Sequence, residues 1–418
     1  MSFFGLPNYS AGLIEGFADM VRPSQPKFVA FENSLHRASD LCALTDLRVY
    51  RSPSDAIVTE ECDDALHLLS REKVRTQASL FRDHFNGRSM YAVKSNPHMA
   101  VLKLLWDEGI RDFEVASLRE VKYVLGLFPD ATLYFMHPVK SRRAIREACA
   151  MGVRHFAFDG LEELKKIEVE TAQVEGLHLY LRVQVEQKTA VHPLNGKFGA
   201  SIHEAPLLLQ RASLHASKIG VTFHVGSQCM DPQDYGRSIH QIAAMLSSSG
   251  ISIDRLDVGG GFPVYYPGMD VQPLTSYFDA IDTAIHTAGL ADVDIICEPG
   301  RALIAEAGSV AVRVELRKGQ SLYLNDGTYG SLFDAGISKW PYPLEVYSSE
   351  GALKAGVGAD FQLYGPTCDS LDVMHGPFQL DATINEGDWI LFQNLGAYGY
   401  AMQTQFNGFY SETVVAID

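Results

Sequence analysis

Between residues 90 and 300 the chain alternates short apolar runs with longer amphipathic stretches. The runs read MYAVK, DFEVAS, LYFMHP, HFAFDG, LYLRVQV, VTFHVG, RLDVGGG and DIICEP. Stretches such as HMAVLKLLWDEG, SLREVKYVLG and KSRRAIREACAMG lie between most of them. Their apolar residues fall three and four apart, which lays one stripe along a helix. The repeat is roughly 20 to 40 residues, the size of a strand–helix unit. Eight such units predict an α/β fold built on a closed parallel (β/α)8 barrel. A doubly wound open sheet is the competing arrangement. Residues 62–85, CDDALHLLSREKVRTQASLFRDHF, are expected to form the helix before the first strand.

After residue 308 the rhythm changes. SVAVRVELRKGQSLYLND and GDWILFQNL read as strands joined by Gly-containing turns, and no long helical pattern follows. Three segments are therefore expected: residues 1–58, an extension whose strand-like part (28–58) joins a β domain; residues 59–308, the barrel; and residues 309–418, the C-terminal β domain.

Composition narrows the partners. A net charge of −16 argues against nucleic acid, which requires a basic face. No apolar run approaches the roughly 20 residues that cross a bilayer. The N-terminus lacks a basic region and carries Glu15 and Asp19, unlike a signal peptide. Six scattered cysteines (Cys42, Cys62, Cys149, Cys229, Cys297 and Cys368) form no C-x-x-C pair, so neither zinc nor a disulfide framework is signalled. A cytoplasmic protein without metal is the expectation.

In a parallel barrel, chemistry gathers at the C-terminal ends of the strands. That rule gives Lys94 a meaning beyond a strand-end lysine reaching solvent. His224 follows the sixth run, Gly259, Gly260 and Gly261 the seventh, and Glu298 and Arg301 the eighth. A lysine amine can condense with an aldehyde. A carboxylate facing a pyridine nitrogen keeps that ring protonated. Glycine amides and an arginine can hold a phosphate. Each residue also has a plainer reading: GGG as a tight turn, His224 as a core histidine, Glu298 as an ion-pair partner of Arg301. All five features on one rim describe a pyridoxal 5′-phosphate site.

The motifs resemble the fold type III pyridoxal-phosphate decarboxylases, which pair an alanine-racemase-like TIM barrel with a C-terminal β-sandwich or β-barrel domain. YAVKSNP is similar to that family's cofactor-lysine motif, at Lys94. FHVGSQ resembles the segment with the ring-stacking histidine and a phosphate-binding serine, here His224 and Ser227. GGGFP resembles the phosphate loop. EPGR resembles the motif whose carboxylate meets the pyridine nitrogen, Glu298, and whose Gly300 and Arg301 hold phosphate. GAYGYAMQTQFNGF resembles the C-terminal motif, with Tyr398 at the phosphate and Phe406 at the substrate. GPTCDSLD resembles a loop contributed by a partner subunit. Six motifs occur in order, from about residue 60 to the C-terminus.

The resemblance implies decarboxylation of a basic amino acid by a homodimer with shared sites. Glu298 speaks against a racemase, which places arginine near the pyridine nitrogen. Cys368-Asp369 in the partner loop, with LNDGTYGSLFD, LRVQV and GKFG, favours the ornithine decarboxylase branch and hence polyamine biosynthesis. Lysine or meso-diaminopimelate is the alternative substrate, and a non-catalytic regulatory homologue a further one. By the same resemblance Cys368 protonates Cα, and Asp369 and Asp334 bind the distal ammonium. One departure stands out: Asp334 follows NDGTYGS almost at once, whereas that branch carries its substrate aspartate further along.

Overall fold

The structure is a computed structural model that describes residues 47–60, 62–194 and 196–418. Eight parallel strands close into a barrel: Arg88–Ala92, Asp112–Val115, Thr132–Phe135, His155–Phe158, His178–Arg182, Lys218–Thr222, Arg255–Asp257 and Asp294–Cys297. Closure comes from pairing of the eighth strand with the first, Ile296 opposite Arg88 and Cys297 opposite Ser89. All eight apolar runs thus become barrel strands, and the open sheet is excluded. The runs are short and apolar because both faces are covered. Phe113, Val115, Leu256, Val258 and Cys297 pack outward against the helices, whereas Met90, Ala157 and Ile296 pack inward.

Serine caps start several of the helices. Ser117 Oγ accepts from Glu120 N, and Ser141 Oγ from Ala144 N, each satisfying an amide with no intrahelical partner. Ser70 does the same for Lys73, so that helix spans Arg71–His84 and not residues 62–85 as expected. The preceding Leu66–Ser70 is a strand instead. Its apolar residues are covered on both faces, between the strands Gly308–Lys318 and Val414–Ile417. The chain therefore enters the barrel at Arg71, later than residue 59.

A ten-stranded sheet system carries the rest. Its long central strand, Gly308–Lys318, pairs antiparallel with Leu66–Ser70, Ser321–Leu324 and Trp389–Phe392. Val49–Tyr50 joins its edge, parallel to Val414–Ile417. Residues 53–58 of the predicted strand region instead begin the helix Pro53–Thr59, started by a proline and capped by Ser52, and residues 28–46 lie outside the described residues. A separate two-stranded ribbon, Ala190–His192 with Ser227–Cys229, lies within the barrel sequence and was not foreseen.

Candidate active site

Strand parity decides which side chains enter the barrel mouth. Outward Phe113 and Val115 leave Glu114 facing inward; outward Leu256 and Val258 do the same for Asp257; outward Phe223 and Val225 for His224. Tyr91 and Val93 are also outward, and a single 3₁₀ turn, Val93–Ser95, then carries Lys94 to the mouth. Lys94 therefore sits two residues past its strand. His224 lies two residues past Thr222, and Glu298 one past Cys297.

Two carboxylates, Glu114 and Glu298, act on the lysine, and a third, Asp257, lies against Glu298. Lys94 Nζ donates to Glu114 Oε2 at 2.8 Å, and the Glu114 side chain is only 3% exposed. Burial disfavours the Lys94 charge, but Glu114, Glu298 and Tyr398 outweigh it and raise the pKa. Glu298 and Asp257 form a coupled pair. Burial, then the Asp257 and Glu114 charges, push Glu298 well above the usual carboxylate range. Burial lifts Asp257 to about 6, opposed by hydrogen bonds from Glu298, the Gly259 amide and Thr222. Two carboxyls so close cannot both ionise freely, so the buried pair gives up its first proton more readily and its last one only at raised pH.

His224 is held as a neutral ring. Burial, with Arg182 and Lys94 nearby, lowers its pKa to about 3. The Gly226 amide donates to its Nδ1 at 2.9 Å, which leaves the ring proton on Nε2. A cavity of about 240 Å³ opens beside it, lined by Arg182, Gln187 and Phe198 among others.

On the adjoining side lies an anion-binding set. A Cβ on Gly260 would stand 2.6 Å from the Glu298 carbonyl oxygen, and one on Gly261 (φ +98°) 2.3 Å from that of Gly226. Only glycine lets these loops meet. Among the described residues the amides of Gly260, Gly261 and Gly300 donate to no backbone acceptor. Ser227 stands at the start of the ribbon strand close by. Arg301 is buried; its Nη1 donates to Tyr266 Oη at 3.2 Å, and its Nε has no partner. Its guanidinium lies 4.4 Å from the Trp340 ring and 5.0 Å from the Tyr398 ring. Tyr398 adopts φ +68°, rare for a bulky residue, while its amide donates to the Ser95 carbonyl at 2.7 Å. That bond ties the C-terminal motif to the lysine turn.

An amine, a buried carboxyl, a neutral imidazole, open glycine amides and an unpaired arginine Nε fit the aldehyde, ring nitrogen, ring face and phosphate of pyridoxal 5′-phosphate. Glu114 and Asp257 were missed from sequence. Their signal was a lone carboxylate at an inward position of an apolar strand.

Cys368, Asp369 and Phe406 form a second cluster. Cys368 is exposed and its Sγ donates to Asn407 Oδ1 at 3.4 Å. Tyr329 donates to Asp369 Oδ2 at 2.6 Å, and its ring meets Phe406 at 5.0 Å. Among the described residues no hydrogen bond or ring contact joins this cluster to Lys94, His224 or Glu298. Asp334, expected beside the substrate, instead places Oδ2 3.7 Å from Arg301 Nη2.

Residues 71–305 match the pyridoxal-binding domain of the pyridoxal-dependent decarboxylases. The chain is similar to ornithine decarboxylase of Schizosaccharomyces pombe, 33% identical over 78% of this chain and 77% of that one. It is also similar to antizyme inhibitor 2 of Xenopus laevis, 33% identical over 78% and 75%. Among solved structures, a lysine/ornithine decarboxylase from Vibrio vulnificus complexed with putrescine superposes with a TM-score of 0.74. It is 30% identical and covers 88% of this chain and 99% of the other.

Proposed function

The chain belongs to the pyridoxal-dependent decarboxylase family, and from that premise we propose that this pyridoxal-phosphate-dependent decarboxylase of basic amino acids converts L-ornithine to putrescine and CO2. The observation that carries the reading is that one barrel mouth brings together Lys94, paired with Glu114 at 2.8 Å, and Glu298, which follows the last barrel strand. Similarity to ornithine decarboxylases, together with the Cys368-Asp369 pair, supports ornithine over lysine or diaminopimelate.

When bound, pyridoxal phosphate supplies an aldehyde carbon and a protonated ring that accepts the electron pair released as the Cα–carboxylate bond breaks. Lys94 is the amine that would hold the aldehyde carbon, and the Glu114 carboxylate beside it orients that amine. Glu298, with Asp257 beside it, would keep the ring nitrogen protonated. His224, neutral and held by the Gly226 amide, would lie against the ring face. Ser227, Gly259, Gly260, Gly261, Gly300, Arg301 and Tyr398 would hold the phosphate.

Cys368 and Asp369 act from a second copy of the chain. Cys368 delivers a proton to Cα, and Asp369, oriented by Tyr329, binds the distal ammonium beside Phe406. Exposed Ile337, Leu371, Met402, Phe406 and Phe409 belong to the segments around this cluster, the apolar surface a homodimer interface needs. Presence of Lys94, Cys368 and Asp369 favours an enzyme over a regulatory relative.

Mass-spectrometric product analysis tests the substrate. The protein is supplied with cofactor and equimolar L-ornithine, L-lysine and meso-diaminopimelate. Putrescine as main product supports the proposal; cadaverine or lysine as main product rejects it in favour of the corresponding alternative.

A further inference from the structure

Arg301 sits in an aromatic box. Trp340 covers one side, with Tyr398 and Tyr266 at 5.0 and 5.9 Å. His192, from the ribbon strand Ala190–His192, stacks on Trp340 at 4.7 Å. Trp340 Nε1 is buried without a partner, as is Arg301 Nε, while the Tyr342 hydroxyl faces the guanidinium. Two unpartnered polar atoms thus lie at one buried guanidinium. Asp334 is its only carboxylate ion-pair partner among the described residues, and at 3.7 Å the contact is longer than a hydrogen bond. Asp334 Oδ1 also accepts from Ser338 Oγ at 3.4 Å, which holds the carboxylate on its own turn.

A carboxylate so placed is badly sited for the distal ammonium of a substrate, because Arg301 already claims its charge. Its effect on an arriving phosphate is repulsive: both anions compete for one guanidinium in a site largely shut off from water. We propose that Asp334 is a counter-ion of Arg301 that tunes cofactor affinity through the phosphate, and not a substrate ligand. With Asp334 in place Arg301 is charge-compensated before the cofactor arrives, and phosphate binding is weakened to a moderate level. The proposal rests on the pyridoxal-phosphate reading of the barrel mouth.

The test titrates the full-length chain, freed of cofactor, with pyridoxal 5′-phosphate, with pyridoxal and with inorganic phosphate. Tryptophan fluorescence is the readout, since Trp340 borders the guanidinium. Asp334→Asn is expected to tighten pyridoxal phosphate about tenfold. Inorganic phosphate should tighten in the same direction, and pyridoxal, which lacks the phosphate, should bind as before. Asp334→Ala should give the same sign, which separates charge from side-chain shape. Unchanged or weakened pyridoxal-phosphate affinity in both variants overturns the proposal. So does a tenfold rise in substrate KM with unchanged cofactor affinity, which would return Asp334 to the substrate. Tighter cofactor binding in a chain whose wild type yields no diamine would sustain this inference while rejecting the decarboxylation of these substrates.

Discussion

The Lys94 ammonium lies 2.8 Å from Oε2 of Glu114, a carboxylate turned into the barrel by strand parity and almost wholly buried. A neighbouring strand thus supplies the counter-ion that orients the cofactor lysine. Glu114→Gln keeps the shape and removes the charge. Its decarboxylation rate at saturating cofactor should fall by up to about 100-fold, the scale on which a misplaced reacting group loses rate. A wild-type rate, with circular dichroism confirming the fold, would make Glu114 a structural partner only.

Separation of Cys368 from Lys94 within one chain leads to a mixing experiment. Lys94→Ala and Cys368→Ala chains should each be nearly inactive. Mixed and allowed to exchange subunits, they should recover up to about a quarter of wild-type activity, because a randomly mixed two-fold dimer places one intact composite site in half its molecules. No recovery, with exchange verified by mass, would show that each chain completes its own site.

Asp369 is oriented by the Tyr329 hydroxyl at 2.6 Å, and that bond helps hold its pKa below the usual range. It is therefore a charged acceptor at neutral pH. Asp369→Asn should raise KM for the diamino acid by about tenfold or more, with a smaller change in kcat, as expected for loss of an ion pair to bound substrate. Tyr329→Phe should shift KM in the same direction by less. Steady-state kinetics at saturating cofactor decide it; an unchanged KM in Asp369→Asn rules the contact out.

Much of this arrangement was legible in the sequence. The eight barrel strands could be read because strands covered on both faces must be short and apolar, and helices between them must be striped. Lys94, His224, Glu298 and the glycine loop followed from their places after those runs. Leu66–Ser70 was misread because a strand covered on both faces and abutting a capped helix has the same apolar density as the helix. Glu114 and Asp257 were passed over because one carboxylate in an apolar run shows its role only once neighbouring strands fix the direction it faces. The Asp334–Arg301 pair joins residues 33 positions apart in different parts of the fold, and no local pattern encodes such a contact.

Buried neutral histidines set the acid limit of the fold. Burial, then the neighbouring His98, lowers His67 to about 3; burial, then His178 and two arginines, lowers His155 to about 2; His98 itself falls to about 4. Unfolding frees each to bind a proton below about 6.5, so each withdraws up to about 1.4 kcal/mol of stability per pH unit below that value. Asp257 and Asp326, raised by burial to about 6, and Glu298, raised further, act in the opposite direction. His224, lowered to about 3, joins the other histidines, so four groups oppose three and the melting temperature should fall from pH 7 to pH 5. His155→Gln should flatten that slope. A melting temperature that holds or rises over this range would contradict the assignment of neutral histidines.

Trapping the cofactor on the protein tests the barrel-mouth site most directly. The full-length chain is incubated with pyridoxal 5′-phosphate, reduced with borohydride, digested and mapped by mass spectrometry. The cofactor mass should appear on the peptide bearing Tyr91-Ala92-Val93-Lys94, in one copy per chain, and should vanish in Lys94→Ala. Label on another lysine, or none on a chain that still decarboxylates, would contradict the placement of the reaction at Lys94.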